Sequence, residues 1–270
     1  MNNKGPKSGI ITLTTDFGDT DSYAGIMKGV ILGIAPDTRI VDITHHISSH
    51  YIESASYLLW TYYNKFPPGT VHCVVVDPDV GSARAPLAVR FEERFFVLPD
   101  NGLLGMTLNG DGKEFEARRI ENSSFMLSPV SNTFHGRDVF APAAAALASG
   151  RPFDSIGPLM KNIVQQPLSV PRVSGNTVKG KIVHVDKFGN YITNIPGEIV
   201  SGFDGTAIFV RIGGFNIIGM SRTYSDRKAG ELSVYVGSTG LIEICTVKGS
   251  ALETVGLPVG SEVMVKGRTT

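Results

Sequence analysis

The run Val74-Val75-Val76-Asp77-Pro78 constrains the fold more than any other stretch of the chain. Three consecutive β-branched apolar residues suit a strand covered on both faces, because a half-exposed strand alternates with polar residues. Proline then supplies no N–H to a sheet and biases the residue before it towards an extended conformation. Asp77 is therefore expected at the carboxyl edge of a strand over Val71–Val76, the edge where ligands bind in open α/β sheets. A tight turn through Gly81 and Ser82 brings Arg84 back towards Asp77. A salt-bridged surface loop would use the same letters.

The first half of the chain repeats this texture. A short strand over Ile10–Leu13 delivers Thr14-Thr15-Asp16-Phe17-Gly18-Asp19, a polar, glycine-containing loop suited to face a ligand. Tyr23, Ile26, Met27, Val30, Ile31 and Ile34 then recur at helical spacing until Pro36. Arg39–Ile43 is a second strand, followed by His45-His46. Neighbours on an extended chain point to opposite faces, so these two are read as hydrogen-bonded histidines rather than joint ligands of one ion. A helix over Glu53–Tyr63 carries Trp60, and strands over Leu87–Arg90 and Arg94–Leu98 end in Pro99-Asp100-Asn101-Gly102. Further on, Phe134-His135-Gly136-Arg137-Asp138 stands just ahead of an alanine-rich helix, Ala141–Ala148, whose first N–H groups are free for an electron-rich ligand.

Beyond residue 175 the texture changes. Val178–Val185, Ala207–Ile212, Leu232–Val236, Leu241–Thr246 and Glu262–Val265 read as short strands separated by glycines, with no helix-length pattern between them. The expected architecture is an N-terminal α/β domain with a central, mostly parallel sheet over residues 9–150. A proline-rich linker over 151–174 and a C-terminal β-barrel-like domain over 175–268 complete it. Lys and Arg number 25 against 25 Asp and Glu, so no net field recruits nucleic acid or an anionic membrane. No apolar run approaches the roughly 20 residues of a membrane span. A polar N-terminus without a signal-like core, and two cysteines in apolar strand-like segments, Cys73 and Cys245, fit a reducing cytoplasm.

Seven motifs, taken in order, carry a resemblance that covers essentially the whole chain. They are Thr14–Gly18, Asp42–His45, Asp77–Arg84, Pro99–Gly102, Phe134–Asp138, Asp186-Lys187-Phe188-Gly189-Asn190 and Ser238–Glu243. The chain resembles the adenosine-forming S-adenosylmethionine hydrolases, or S-adenosylmethionine hydroxide adenosyltransferases, relatives of the fluorinase and chlorinase enzymes. The resemblance implies a homotrimer, with each active site between the N-terminal domain of one subunit and the C-terminal domain of its neighbour. It also implies hydrolysis of S-adenosylmethionine with no metal and no cofactor.

By the same resemblance Asp77, Arg84 and His135 handle the attacking water, with Asp77 or His135 as the base. Asp16 matches a carboxylate that accepts hydrogen bonds from both ribose hydroxyls, which its two oxygens suit. Ser22 and Asp186 match groups near the methionine ammonium. Asn190 matches an amide that reads the adenine edge, and Tyr224 an aromatic residue on the purine. Ser238, Glu243, Val247 and Lys248 line the far wall, and Gly136 and Trp60 join the substrate contacts.

Three other readings compete. A non-catalytic adenosine-binding module would need Asp16, Asn190 and Ser238 but not Asp77, Arg84 and His135 together. A halide-using enzyme would have to place its anion against an ionised Asp77. A metal hydrolase built on Asp16, Asp19 and the histidine pair would lose activity to chelators. The chain also departs from the family at two positions. Asp79 stands where glycine is usual and is expected to strain its turn or alter the local charge. Cys245 replaces a common alanine.

Overall fold

A computed structural model describes residues 8–108, 113–165, 170–203 and 207–267. The chain forms two compact units, Met1–Pro167 and Leu168–Thr270, each with its own sheet and core.

In the first unit the elements run β1 (Ile10–Thr15), α1 (Tyr23–Ile34), β2 (Arg39–Thr44), α2 (Ile52–Tyr62), β3 (Val71–Val75), β4 (Pro86–Phe91) and β5 (Arg94–Pro99). A one-turn helix α3 (Gly105–Leu108), β6 (Glu116–Arg119) and α4 (Ala141–Ala148) follow. The sheet order is β2-β1-β3-β5-β4-β6. The four strands from β2 to β5 are parallel, and β4 runs antiparallel between β5 and β6. Side chains alternate across β3. Val71, Cys73 and Val75 enter a core with Met27 and Ile31 of α1 and the buried alanines of α4. Val74, and Val76 just past the strand, enter a second core with Ala55 and Leu59 of α2. Both faces are covered, which is why the strand shows no polar alternation.

Two expectations change. Of the apolar positions on α1, Met27 and Ile31 are buried, whereas Tyr23, Ile26 and Ile34 are exposed. The stretch read as a linker is tied down at both ends, by burial at the first and by strand pairing at the second. Phe153 and Ile156 are buried in the first unit's core, and β7 (Arg172–Ser174) pairs with β8 (Thr177–Val185). Prolines there interrupt helical periodicity without preventing burial.

The second unit continues with β9 (Tyr191–Pro196), α5 (Gly197–Val200), β10 (Phe209–Ile212), β11 (Phe215–Ile218), β12 (Leu232–Val236), β13 (Leu241–Thr246), α6 (Ala251–Val255) and β14 (Glu262–Lys266). The order is β11-β10-β14-β8-β9-β13-β12, with every pairing antiparallel and β7 beside β8. Ser221, just past β11, donates its N–H to the Val234 carbonyl of β12 at 2.7 Å, so the sheet curls into a nearly closed barrel. Strand β9 escapes a reading by alternation because its polar residues are buried with partners. Thr193 Oγ1 donates to the Ile242 carbonyl at 2.8 Å, and Asn194 Oδ1 accepts the Lys181 N–H at 2.7 Å.

The hairpin between β4 and β5 turns on Glu92-Glu93 alone, at φ 47° and 60°. A left-handed backbone costs a residue with a Cβ about 1–2 kcal/mol, and such turns prefer Asn-Gly. Glu92 is committed elsewhere: its carboxylate holds Lys113 at 2.5 Å and accepts the Tyr63 hydroxyl at 3.2 Å. We therefore predict that Glu93→Gly stabilises the first unit by about 0.5–1 kcal/mol, after allowing for glycine's chain entropy. Thermal denaturation checks it, and an unchanged or lower midpoint would refute it.

Candidate active site

Asp77 leaves β3 in the expected place, at the carboxyl edge of the sheet. Two overlapping turns carry the chain away, with Val80 N–H on the Asp77 carbonyl at 3.3 Å and Ser82 N–H on the Asp79 carbonyl at 3.0 Å. Gly81 takes φ 83°, and a Cβ there would lie 2.6 Å from the Asn132 carbonyl oxygen, so this position requires glycine. Asp79 is exposed and outside the left-handed region, so the expected strain at that position is absent. The Pro99–Gly102 turn ties the loop at both ends. Asn101 Nδ2 donates to the Val76 carbonyl at 2.9 Å, and Asp100 N–H to the Ala85 carbonyl at 2.9 Å.

Arg84 returns over Asp77 as a fork. Its Nε donates to Oδ1 at 2.8 Å and its Nη2 to Oδ2, with both side chains only 6% exposed. The same Nη2 lies 2.8 Å from His135 Nδ1, and the guanidinium carbon sits 5.3 Å from the Phe140 ring centre. A guanidinium has only donors, so His135 Nδ1 is the acceptor and the proton of the neutral ring is on Nε2. Burial, and then the charge of Arg84, hold the His135 pKa below its ordinary value.

His135 opens a wide helical turn, Gly136–Phe140, that runs into α4. Buried Asp138 pins this segment by accepting the Ser131 N–H at 2.8 Å and both Arg137 donors, at 2.6 and 2.9 Å. Gly136 is closely packed: a Cβ there would lie 3.1–3.3 Å from the Phe134, Met27 and Phe17 side chains, which would have to give by a few tenths of an ångström.

Asp77, His135 and Gly136 face a cavity of about 340 Å³ whose walls also include Asp16, Phe17, Tyr23, Phe134 and His50, with Arg84 behind Asp77 and His135. Phe17, Tyr23 and Phe134 pack edge to face or tilted, with centroids 5.2–5.9 Å apart. Asp16 Oδ2 accepts the His50 N–H at 3.1 Å. Burial pushes the Asp16 carboxyl above the usual carboxylate range, opposed by that backbone bond.

The remaining expected contacts are distributed differently. Ser22 lies in a neighbouring hollow with Asp19, Asp21, Lys28 and His45. Trp60 packs on the α2 side of the sheet, beside a small recess with Tyr63, Phe91 and Leu108, away from this cavity. In the second unit Asp186 Oδ1 accepts the Phe188 and Asn190 N–H groups at 2.9 and 2.8 Å, and its Oδ2 accepts Asn190 Nδ2 at 2.8 Å. Glu243 accepts the Tyr235 hydroxyl at 2.8 Å, and that hydroxyl is 2.8 Å from the Tyr224 hydroxyl. Burial raises the Glu243 pKa, as the nearby Asp186 charge does more weakly. Ser238 is exposed in the turn before β13, and Val247 and Lys248 form the turn after it, Lys248 at φ 54°.

Phe17, Tyr23, His50 and Phe134 join the wall beyond the expected contacts; Phe17 and Phe134 belong to the Thr14–Gly18 and Phe134–Asp138 motifs, whereas lone His50 carries no local signal. His45 and His46 have separate partners: His45 meets Thr15 and Asp42, and His46 Nε2 lies 3.3 Å from Asp19 Oδ2. No group of three or more metal-ligating side chains occurs among the described residues.

The chain is 32% identical over 257 residues to the (R)-S-adenosyl-L-methionine hydrolase of Salinispora tropica, spanning 94% of this chain and 97% of that protein. It is 35% identical over 255 residues to the enzyme of the same name from Thermus thermophilus, spanning 92% and 96%. A crystal structure of an uncharacterized conserved protein from Thermotoga maritima superposes with a TM-score of 0.87 at 34% identity, over 95% of this chain and 99% of that one. Residues 11–157 match the SAM hydroxide adenosyltransferase N-terminal domain and residues 180–264 its C-terminal domain, and the chain belongs to that family.

Proposed function

We propose that this protein hydrolyses S-adenosyl-L-methionine, with the R configuration at sulfur that its relatives' names specify, to adenosine and L-methionine. The observation that carries this reading is the Asp77–Arg84–His135 cluster on the wall of an aromatic-lined cavity that also holds Asp16. Two carboxylates and three aromatic rings favour a sulfonium cation, and they disfavour a halide.

The sulfonium is already a good leaving group, so methionine departs as a neutral thioether without acid assistance. The reaction lacks a nucleophile. Water attacks ribose C5′ in line with sulfur, the C5′–O bond forms as the C5′–S bond breaks, and one proton is lost from the water. His135 Nδ1 is occupied by Arg84 and Nε2 carries its own proton, so the ring orients the water by donating to it. Asp77, which keeps free lone pairs, takes the proton. Arg84 holds both partners in register and stabilises charge developing on oxygen.

Asp16 holds the ribose hydroxyls. Asp186 and Ser22 serve the methionine ammonium, Asn190 and Tyr224 the adenine, and Ser238, Glu243, Val247 and Lys248 the far wall. The family resemblance supports a homotrimer in which a neighbouring subunit's C-terminal unit completes each site. The chemistry requires no cofactor. Two buried free thiols suit a cytoplasmic setting.

Turnover in heavy-oxygen water, in halide-free buffer with EDTA, is expected to place the label on the 5′ oxygen of adenosine and none on methionine. Asp77→Asn and His135→Ala should lower kcat by about a hundredfold or more while adenosine still binds. Tight binding without turnover in the unaltered protein would refute hydrolysis and leave a binding module.

The pH profile follows from the His135 environment. Because its folded pKa is depressed, the neutral ring survives to lower pH than an ordinary histidine would allow. The acid limb of kcat/KM should therefore fall with a midpoint below about 6.5. NMR titration of the His135 ring should give the same midpoint, and a limb at or above the ordinary value would contradict the Arg84-to-Nδ1 arrangement.

A further inference from the structure

The Asp42–His45 motif makes no contact with the cavity, yet it converges on the turn that carries Asp16. We infer that His45 is a positioning residue for Asp16, clamping the Thr15–Gly18 turn from both ends. The inference rests on Asp16 being the ribose contact.

The side chain holds one end. His45 Nδ1 lies 2.8 Å from Thr15 Oγ1, and Thr15 is fully buried. That hydroxyl oxygen also accepts the Phe17 N–H at 3.3 Å, and the Asp42 carboxylate facing Nε2 favours the tautomer with its proton there, so the hydroxyl donates to Nδ1. Nε2 faces Asp42 Oδ1 at 3.2 Å, outside hydrogen-bond geometry but within electrostatic contact. Lys28 Nζ holds the other Asp42 oxygen at 2.5 Å, fixing the carboxylate against which the ring rests. The main chain holds the other end: the His45 carbonyl accepts the Gly18 N–H at 2.7 Å, where Gly18 turns at φ 69°.

Asp16 lies between these two anchors, and the same loop reaches its carboxylate through the His50 N–H at 3.1 Å. The Thr15–Gly18 turn has no side-chain bond of its own across its ends that would replace the imidazole. Without it, Thr15 Oγ1 loses its buried imidazole partner and keeps only the long Phe17 N–H bond, while the far end is held by the Gly18 main-chain bond. His45 lies outside the wall of the cavity that holds Asp16, so its influence on the ribose passes through Asp16.

Calorimetric titration with adenosine and 2′,3′-dideoxyadenosine separates positioning from general support. The unaltered protein should prefer adenosine, because Asp16 bonds both hydroxyls. His45→Leu should weaken adenosine by about tenfold and dideoxyadenosine by less than about twofold. His45→Asn, whose amide can stand in for Nδ1, should recover most of the loss, and KM should rise in the leucine variant with kcat largely kept. Equal weakening of both nucleosides, or an unchanged preference in His45→Leu, would overturn the inference. An unaltered protein without any preference would instead overturn the Asp16 reading, and this inference with it. Should His45→Leu fail to fold, Thr15→Val deletes the same bond, together with the Phe17 N–H bond, while keeping the shape, and its preference is read in the same way.

Discussion

The guanidinium of Arg84 bonds Asp77 with two donors and His135 with one, in a place from which water is nearly excluded. Taking a carboxylate and a guanidinium out of water costs several kcal/mol each, and the loss is recovered only with near-ideal geometry. Here the planar fork meets both Asp77 oxygens, and the Phe140 ring covers one face of the cation. A lysine could neutralise Asp77, but a point charge could not also fix the direction of an imidazole 51 positions along the chain. The cluster is best understood as a device for position. Removing one partner would strand the other charge in a dry site.

Such a cluster makes demands on the fold around it. Asp77 must emerge from a fully covered strand, and Val74 and Val76 meet that demand by filling the α2 side while Val75 fills the other. Arg84 must return from a loop whose ends do not drift, and the Pro99–Gly102 turn of the adjacent parallel strand bonds both ends. His135 must arrive from another direction, at the start of α4, where alanines bring the helix close to the sheet. Asp16 reaches the same cavity from β1, the neighbour of β3 on its other side. The loop that carries Asp77 and Arg84 is thus steadied by the turn of a neighbouring strand, and the Asp16 carboxylate by the loop that follows β2.

This division explains what could be read from the letters. Side chains that act at the end of a strand leave a local mark: a β-branched run, a break and a polar residue, as at Val76-Asp77-Pro78 and Leu13–Asp16. The strands themselves and the two-faced burial follow from such marks, whereas the order β2-β1-β3-β5-β4-β6 is a tertiary result that they do not encode. Residues recruited by tertiary approach leave none. His50 enters the cavity wall from a loop of ordinary composition, and Tyr23 joins the aromatic cluster although its helical spacing predicts an inward face. Trp60, singled out for its rarity, has the periodicity of core packing and occupies the α2 side of the sheet. Strand β9 was hidden for the opposite reason, because Thr193 and Asn194 are polar by composition and buried by partnership.

Asp79 brings the same reasoning to a single position. Where the family's resemblance calls for glycine, flexibility is the natural purpose, and a carboxylate two residues from Asp77 would then be a burden. The backbone assigns that flexibility elsewhere. Gly81 is the left-handed residue of the turn, and it alone is pressed so near the Asn132 carbonyl that a side chain cannot fit. Asp79 is exposed, keeps an ordinary φ and lies outside the cavity wall, with only its carbonyl engaged in the turn. Its charge is therefore screened by solvent, whereas the Arg84 guanidinium lies directly on Asp77. The geometry that delivers Arg84 depends on glycine at 81 and tolerates aspartate at 79.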